Sequence, residues 1–422
     1  MNLKSRIINR FKELWGHKCF RVALIVHFFY FILSIALFFI FYREKNDFYV
    51  FYKAGDIFIN DIENLYSQTN YLWDYRYLPL SALFYIPYSL FTYEVAFIVF
   101  TLFNVFLNIL ICTIMYKIII RVKGEDHEED DKRVIYFICF YIISFPNGFN
   151  YVLGQINLYV TFFILLSLYI FIKYEEIKWQ FIGSIILGMS IIIKPTTFFL
   201  IPFLVILNFD FKRRELTFDF LGSMVRFIGV LIPFSLNIIL FLLYRNLWIG
   251  FLNTNFTGSN PIALNYSFSI SKLITNFCYF YNIPFNALVI LIIVLIIIGG
   301  LGFIIFISGK LDKNSIIYGY AFGLLIMLLV YFDSWDHHLL NLIPIIIIIM
   351  FNIPRHSPIL NPLKRGLFFF AFLDLAFVGI WHLIFPLFPY NFESTFFLLL
   401  TFYAISKYHI IKKDKAEMYQ NR

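Results

Sequence analysis

The chain has 422 residues, of which 61% are hydrophobic and 14% charged, with mean hydropathy +0.78 and a formal net charge of +8. Soluble domains carry roughly 25% charged residues, so this composition excludes a soluble globular protein. It points to an all-α polytopic membrane protein, one integral domain over 1–422. The basic balance fits a cytoplasmic surface that meets anionic lipid, with no nucleic-acid partner. The four cysteines, at 19, 112, 139 and 278, have neither disulfide-framework nor metal-site spacing.

The first 21 residues, MNLKSRIINRFKELWGHKCFR, are basic, and the apolar run after them shows no small-residue cleavage site. An uncleaved first span is expected. Apolar runs then predict about 12 transmembrane helices: 20–42, 93–120, 134–146, 156–172, 180–193, 196–208, 218–244, 284–308, 315–332, 338–352, 367–387 and 393–411. The pairs 180–193/196–208 and 315–332/338–352 also admit a reading as single broken helices. With both termini in the cytoplasm, the inner segments hold 25 Lys and Arg and the outer ones 7. That asymmetry supports the alternation.

Two large outer loops result, 43–92 and 245–283. The first contains LPLSALFYIPYSLF, 14 residues and too short to cross, so an interfacial helix is expected there. The inner charge run RVKGEDHEEDDKR reads as a solvated connector.

The polar residues that interrupt the apolar runs fall on the outer side. Polar groups at membrane depth are expensive, so a set on one face marks a candidate site. Asp47 sits in DFYVFYKAG, just past the first span. Partial desolvation there raises its basicity and suits it to take a proton from a hydroxyl. Asp56 and Asp74 are nearby competitors in a less distinctive setting, and the loop has no His or Cys for a transition-metal site. Gln155 and Asn157 in LGQIN offer paired donors and acceptors for sugar hydroxyls; a tight helix–helix turn is the plain alternative.

Lys194, between Ile193 and Pro195, is a positive charge on the side where lysine is scarce. It suits a phosphate leaving group, against the plain alternative of a snorkelling side chain. Arg245 opens the second outer loop, a second candidate for donor phosphate, and Asn265 and Ser267 follow in ALNYS. Asn255-Phe-Thr and Asn265-Tyr-Ser also fit the glycosylation sequon. His337 and His338 lie in DSWDHHL; adjacent histidines cannot both face one point on a helix, so acid–base or phosphate contact is expected rather than metal binding.

Taken in order, these stretches resemble polyprenyl-phosphate-sugar-dependent glycosyltransferases of the GT-C fold, with family 87 the nearest. The resemblance rests on DFYVFYKAG, LYSQ, YRYLPLSALFYIPYSLF, LGQINLYVTFFILL, GSIILGMSIIIKPTTFFLIP, NYSFS and SWDHHLLNLIP, within 45–345. It implies an extracytoplasmic active site, with Asp47 as general base, Lys194 at the donor phosphate, and His337 or His338 beside it. Tyr77-Leu78-Pro79 stands where Tyr-Pro-Pro is common, and Asn265-Tyr266-Ser267 where Asn-Gln-Ser is frequent.

The expected activity is inverting transfer of a hexose, mannose by resemblance, from a polyprenyl or dolichyl phosphate to a lipid or glycan acceptor hydroxyl. Catalysis is expected of Asp47, His337 and His338, donor-phosphate binding of Lys194 and Arg245, and substrate lining of Gln155, Asn157, Asn265, Ser267 and Tyr77. No cofactor or metal is expected, and the location is a prokaryotic cell membrane. The competing readings are an arabinofuranosyl- or glucosyltransferase of the same fold, or a lipid or solute transporter. A transporter should carry ionisable groups at mid-membrane and repeated halves, neither of which the sequence displays.

Overall fold

In hydrocarbon a backbone must satisfy its own hydrogen bonds, so long apolar runs fold as helices. The computed structural model describes residues 11–43, 45–124, 131–211, 213–257, 266–309, 312–374 and 393–420. Asn265, the charge run at 125–130 and the part of span 367–387 beyond 374 lie outside the described residues.

Helix α1 (Lys18–Leu37) runs on as a wider turn to Tyr42, and α2 (Asp47–Asn60) follows in the first loop. α3 (Tyr93–Val122), α4 (Asp131–Ile143), α5 (Phe145–Leu153), α6 (Asn157–Lys173) and α7 (Ile177–Ile193) come next. A hairpin of β1 (Leu207–Asp210) and β2 (Glu215–Phe218) leads to α8 (Phe220–Leu243), α9 (Arg245–Leu252) and α10 (Ile270–Phe280). The chain ends with α11 (Ala287–Ser308, with a wider turn at its middle), α12 (Ser315–Val330), α13 (Leu339–Asn352), α14 (Leu360–Phe368) and α15 (Glu393–Gln420).

Five stretches among the described residues are long and apolar enough to cross a membrane: Lys18–Tyr42, Tyr93–Val122, Asp131–Leu153, Phe220–Leu243 and Ala287–Ser308. The other apolar helices are shorter, from 10 to 17 residues.

The differences from expectation have local causes. The third span does not stop at 146. Ser144 interrupts it, and α5 then carries the chain to Leu153 with Pro146 in its first turn, where a missing N–H does no harm. The run 196–208 is not an α-helix; Pro195 and Pro202 tighten Pro195–Leu204 into a 3₁₀ helix, and the antiparallel hairpin follows with Leu207 opposite Phe218. In the first loop, LPLSALFYIPYSLF forms a 3₁₀ stretch, Pro79–Phe84, and one helical turn, Ile86–Ser89, while the regular helix of that loop is α2.

The core sits on α12 and α13. All of Ser315–Val330 is buried, as is Leu339–Phe351, so both helices are apolar on every side. α8 and α11 instead expose Leu231, Leu236, Ile239 and Leu242, and Ile292, Ile293, Ile296 and Ile297. Those rows form the apolar outer surface that lipid covers.

Where α7 crosses α8 the backbones touch. A Cβ on Gly188 would lie 2.8 Å from the Val230 carbonyl, and one on Gly229 2.7 Å from Ser184 Cβ. Small residues permit this close crossing. One set of polar groups inside the bundle is paired: Tyr151 joins His27 at 3.0 Å and accepts from Asn108 at 3.1 Å, while Asn108 also donates to Asn147 at 2.9 Å. This network ties α1, α3 and α5 together below the first-loop helix.

Candidate active site

Asp47 is the first residue of α2. Asn46 caps that helix, its Oδ1 accepting from Tyr49 N at 3.0 Å and from the Tyr93 hydroxyl at 2.9 Å. The apolar face of α2, with Phe48, Phe51, Ala54 and Ile57 buried, holds it against the rest of the loop. Asp47 therefore projects from the helix N-terminus, where the backbone dipole favours a carboxylate. Burial is the larger influence and pushes the carboxyl above its ordinary value; the Gln155 hydrogen bond and the charge of Lys194 pull it back. Asp56, one of the competing carboxylates, instead accepts from Asn60 on the same helix at 2.8 Å.

Gln155 reaches Asp47 because Gly154 turns the chain. Gly154 has φ +66°, and a Cβ there would stand 2.7 Å from Phe48 Cβ, so the turn is pressed directly against α2. Gln155 N returns to the Asn150 carbonyl at 2.9 Å, and its side-chain Nε2 donates to Asp47 Oδ2. Two residues on, Asn157 begins α6, with its N–H donating to Asn150 Oδ1 at 3.1 Å. Asn157 Oδ1 accepts from Lys194 Nζ at 2.8 Å.

Lys194 ends α7 in an extended conformation, as the residue before a proline tends to. It is only 5% exposed. Burial lowers its ammonium pKa to about 7, with Asp47 acting in the opposite sense.

His337 and His338 form a short turn ahead of α13, each 4% exposed, with ring centroids 4.3 Å apart. His338 Nδ1 accepts from Trp335 N at 3.2 Å, which leaves the proton of a neutral ring on Nε2. Lys194 lies close enough for its charge to act on both rings. For His337, burial first and then that charge hold the imidazole well below its ordinary value. Tyr77 completes the near wall; burial and the Asp47 charge push its hydroxyl up.

Of the residues singled out from sequence, Asp47, Tyr77, Gln155, Asn157, Lys194, His337 and His338 thus come together at one end of the helices. Ser267 stands one step back: its Oγ accepts from Ser334 N at 3.3 Å and Ser269 N at 3.2 Å, joining the second loop to the segment before the histidines. Arg245 starts α9 and is exposed; its helix packs on the first loop, where Gly250 meets the Tyr66 side chain. No hydrogen bond or ion pair joins Arg245 to the cluster among the described residues, and Asn265 falls outside them.

Sequence reasoning missed Asn150, which anchors both Gln155 and Asn157, and Asn341, whose Oδ1 accepts from Thr161 at 2.7 Å. An asparagine seven residues before Asn157 and another three after His338 were the available signals.

A carboxylate with raised basicity, a buried lysine and neutral imidazoles in one nook suit proton removal from a hydroxyl beside a departing anion. A cavity of about 400 Å³ lined by Gln180, Arg226 and Lys313 lies at the far ends of α6 and α7, away from this cluster. Residues 75–331, more than half of the chain, match glycosyltransferase family 87. The chain belongs to that family. This family 87 chain is a multi-pass membrane glycosyltransferase. Lys194, Gln155 and Asn157 lie inside the matched stretch, whereas Asp47, His337 and His338 lie outside it. Neither the curated proteins nor the solved structures contain a match to this family 87 member.

Proposed function

We propose that this glycosyltransferase moves a hexose, mannose in our reading, from a polyprenyl or dolichyl phosphate to an acceptor hydroxyl on the extracytoplasmic face. The arrangement we propose is of the GT-C type with about 12 spans and both termini cytoplasmic; the distribution of Lys and Arg supports that orientation.

The observation that carries the reading is that Asp47 and Lys194 are each held by a neutral amide from the same short turn, LGQIN. Gln155 holds the carboxylate and Asn157 holds the ammonium; the two charges act on each other, and no direct ion pair joins them among the described residues. In the reaction, Asp47 takes the proton of the acceptor hydroxyl while that hydroxyl's oxygen attacks the anomeric carbon. The bond from that carbon to the phosphate oxygen breaks on the opposite side, which inverts the configuration. The lipid phosphate leaves with one more negative charge, which the Lys194 ammonium offsets while the neutral His337 ring donates a hydrogen bond to it. We assign the phosphate contact to His337 and the holding of the turn to His338, whose Nδ1 accepts from Trp335 N. The Lys194 ammonium and neighbouring N–H donors suit a phosphomonoester leaving group, so the mechanism as proposed calls for no metal.

Purified protein incubated with radiolabelled polyprenyl-phosphate-mannose and native lipid extract tests the reading. Label should pass to an acceptor lipid or glycan. Transfer of arabinofuranose or glucose in place of mannose would keep the chemistry and change the donor. Absence of transfer from any lipid-phosphate sugar would overturn the reading.

A further inference from the structure

A second charged cluster joins three chain segments behind the reaction nook. Arg76, next to Tyr77 in the first loop, donates from Nη1 to Asp333 Oδ2 at 2.6 Å across 257 residues of sequence. The Arg76 charge also acts on the Tyr331 hydroxyl. The other carboxylate oxygen, Asp333 Oδ1, is buried and has no hydrogen-bond partner among the described residues. Lys272, in the first turn of α10, is fully buried, and Asp333 is the charge that acts on it. Burial pushes its ammonium down to about 8, with Asp333 opposing.

The backbone reinforces the same junction. Phe268 N donates to the Ser334 carbonyl at 2.9 Å, and Trp335 Nε1 donates to the Tyr266 carbonyl at 3.0 Å. Asp333 therefore sits four residues before His337, held by a cation one residue before Tyr77. Partly buried ion pairs of this kind are costly to break from one side, because the partner charge is left without compensation.

We propose that Arg76, Asp333 and Lys272 form a charge clasp that sets the spacing between Tyr77 and the His337–His338 turn, with Asp333 as a positioning residue for transfer. The clasp rests on the proposed function only for its effect on rate; its effect on structure stands apart. Asp333 is ion-paired with Arg76 and its charge also acts on buried Lys272, so neutralising it removes the negative charge between two cations, one on the first loop and one on α10. The loop and the histidine turn then separate. Misplacement by about 1 Å costs on the order of 100-fold in rate.

The test compares wild type with Asp333→Asn and Arg76→Gln in two assays. In lipid-mannose transfer, kcat should fall by about 10- to 100-fold while the KM for donor changes little, since Lys194 is untouched. The double variant should be no slower than the slower single one, as expected of two residues acting as a unit. In hydrogen–deuterium exchange, peptides covering 75–78 and 331–338 should exchange faster in either variant, with the peptides of α12 unchanged. A wild-type kcat in both variants, or unchanged exchange in both, would overturn the clasp. Faster exchange spread through α12 would overturn it too, by showing general loss of fold. If wild type itself transfers no sugar, the proposed donor fails while the exchange arm still decides the clasp.

Discussion

Asn157→Leu removes the hydrogen bond that Lys194 donates to Asn157 Oδ1. The side chain accepts from Lys194 Nζ at 2.8 Å, in a site where the lysine is 5% exposed. The start of α6 should survive, because Asn157 is held there through its own N–H to Asn150 Oδ1. Losing one hydrogen bond to a charged group costs about 1.5–3 kcal/mol. At about 1.4 kcal/mol per pH unit, the Lys194 pKa should fall by roughly 1–2 units. The native value is already lowered to about 7.

The sign follows from the role: Lys194 must be protonated to meet the phosphate, so activity is lost as pH rises through its pKa. The profile of kcat/KM against pH reports the free enzyme. In Asn157→Leu its alkaline limb should move down by about 1–2 units, with the acid limb in place. An alkaline limb that stays where wild type has it would refute the assignment of that limb to Lys194.

Gln155→Ala removes the donor that draws the Asp47 carboxyl downward, so the acid limb of kcat/KM should move to higher pH; the same titration series checks it. His337→Gln should lower kcat/KM for transfer by about 100- to 1000-fold, and His338→Gln should instead loosen the turn, read as a lower melting temperature in detergent. Gly154→Ala forces a side chain into a left-handed backbone with a Cβ 2.7 Å from Phe48, and should cost about 1–3 kcal/mol in thermal melting together with activity.

Helix positions were legible because hydropathy and charge act locally. The run ending near 193, the one starting near 156 and the long run at 93–120 correspond to α7, α6 and α3 within a few residues. Proline spacing hid the rest: Pro195 and Pro202 sit in a run as apolar as its neighbours, yet they deny it α-helical hydrogen bonds. α2 carried the signal of Phe48, Phe51 and Ala54 on one face, but a 14-residue helix in a polar loop is weak against the apolar run that follows it.

The candidate site was legible as a list of residues and not as a set of contacts. Charge asymmetry placed Asp47, LGQIN, Lys194 and the histidines on one side, which is a one-dimensional property. The contacts of Gln155 with Asp47, Asn157 with Lys194 and Arg76 with Asp333 span 108, 37 and 257 residues. They depend on how the helices pack, and no local pattern encodes that. Arg245 illustrates the converse: a cation at the right sequence position whose helix turns it outward to solvent.

The most direct measurement is transfer of radiolabelled mannose from polyprenyl-phosphate-mannose by Asp47→Asn beside wild type, at equal amounts of folded protein. Asparagine keeps the hydrogen-bonding shape at the start of α2 and removes the base. A kcat loss of about 100-fold or more is expected, with donor KM nearly unchanged. Equal transfer by the two proteins would contradict it.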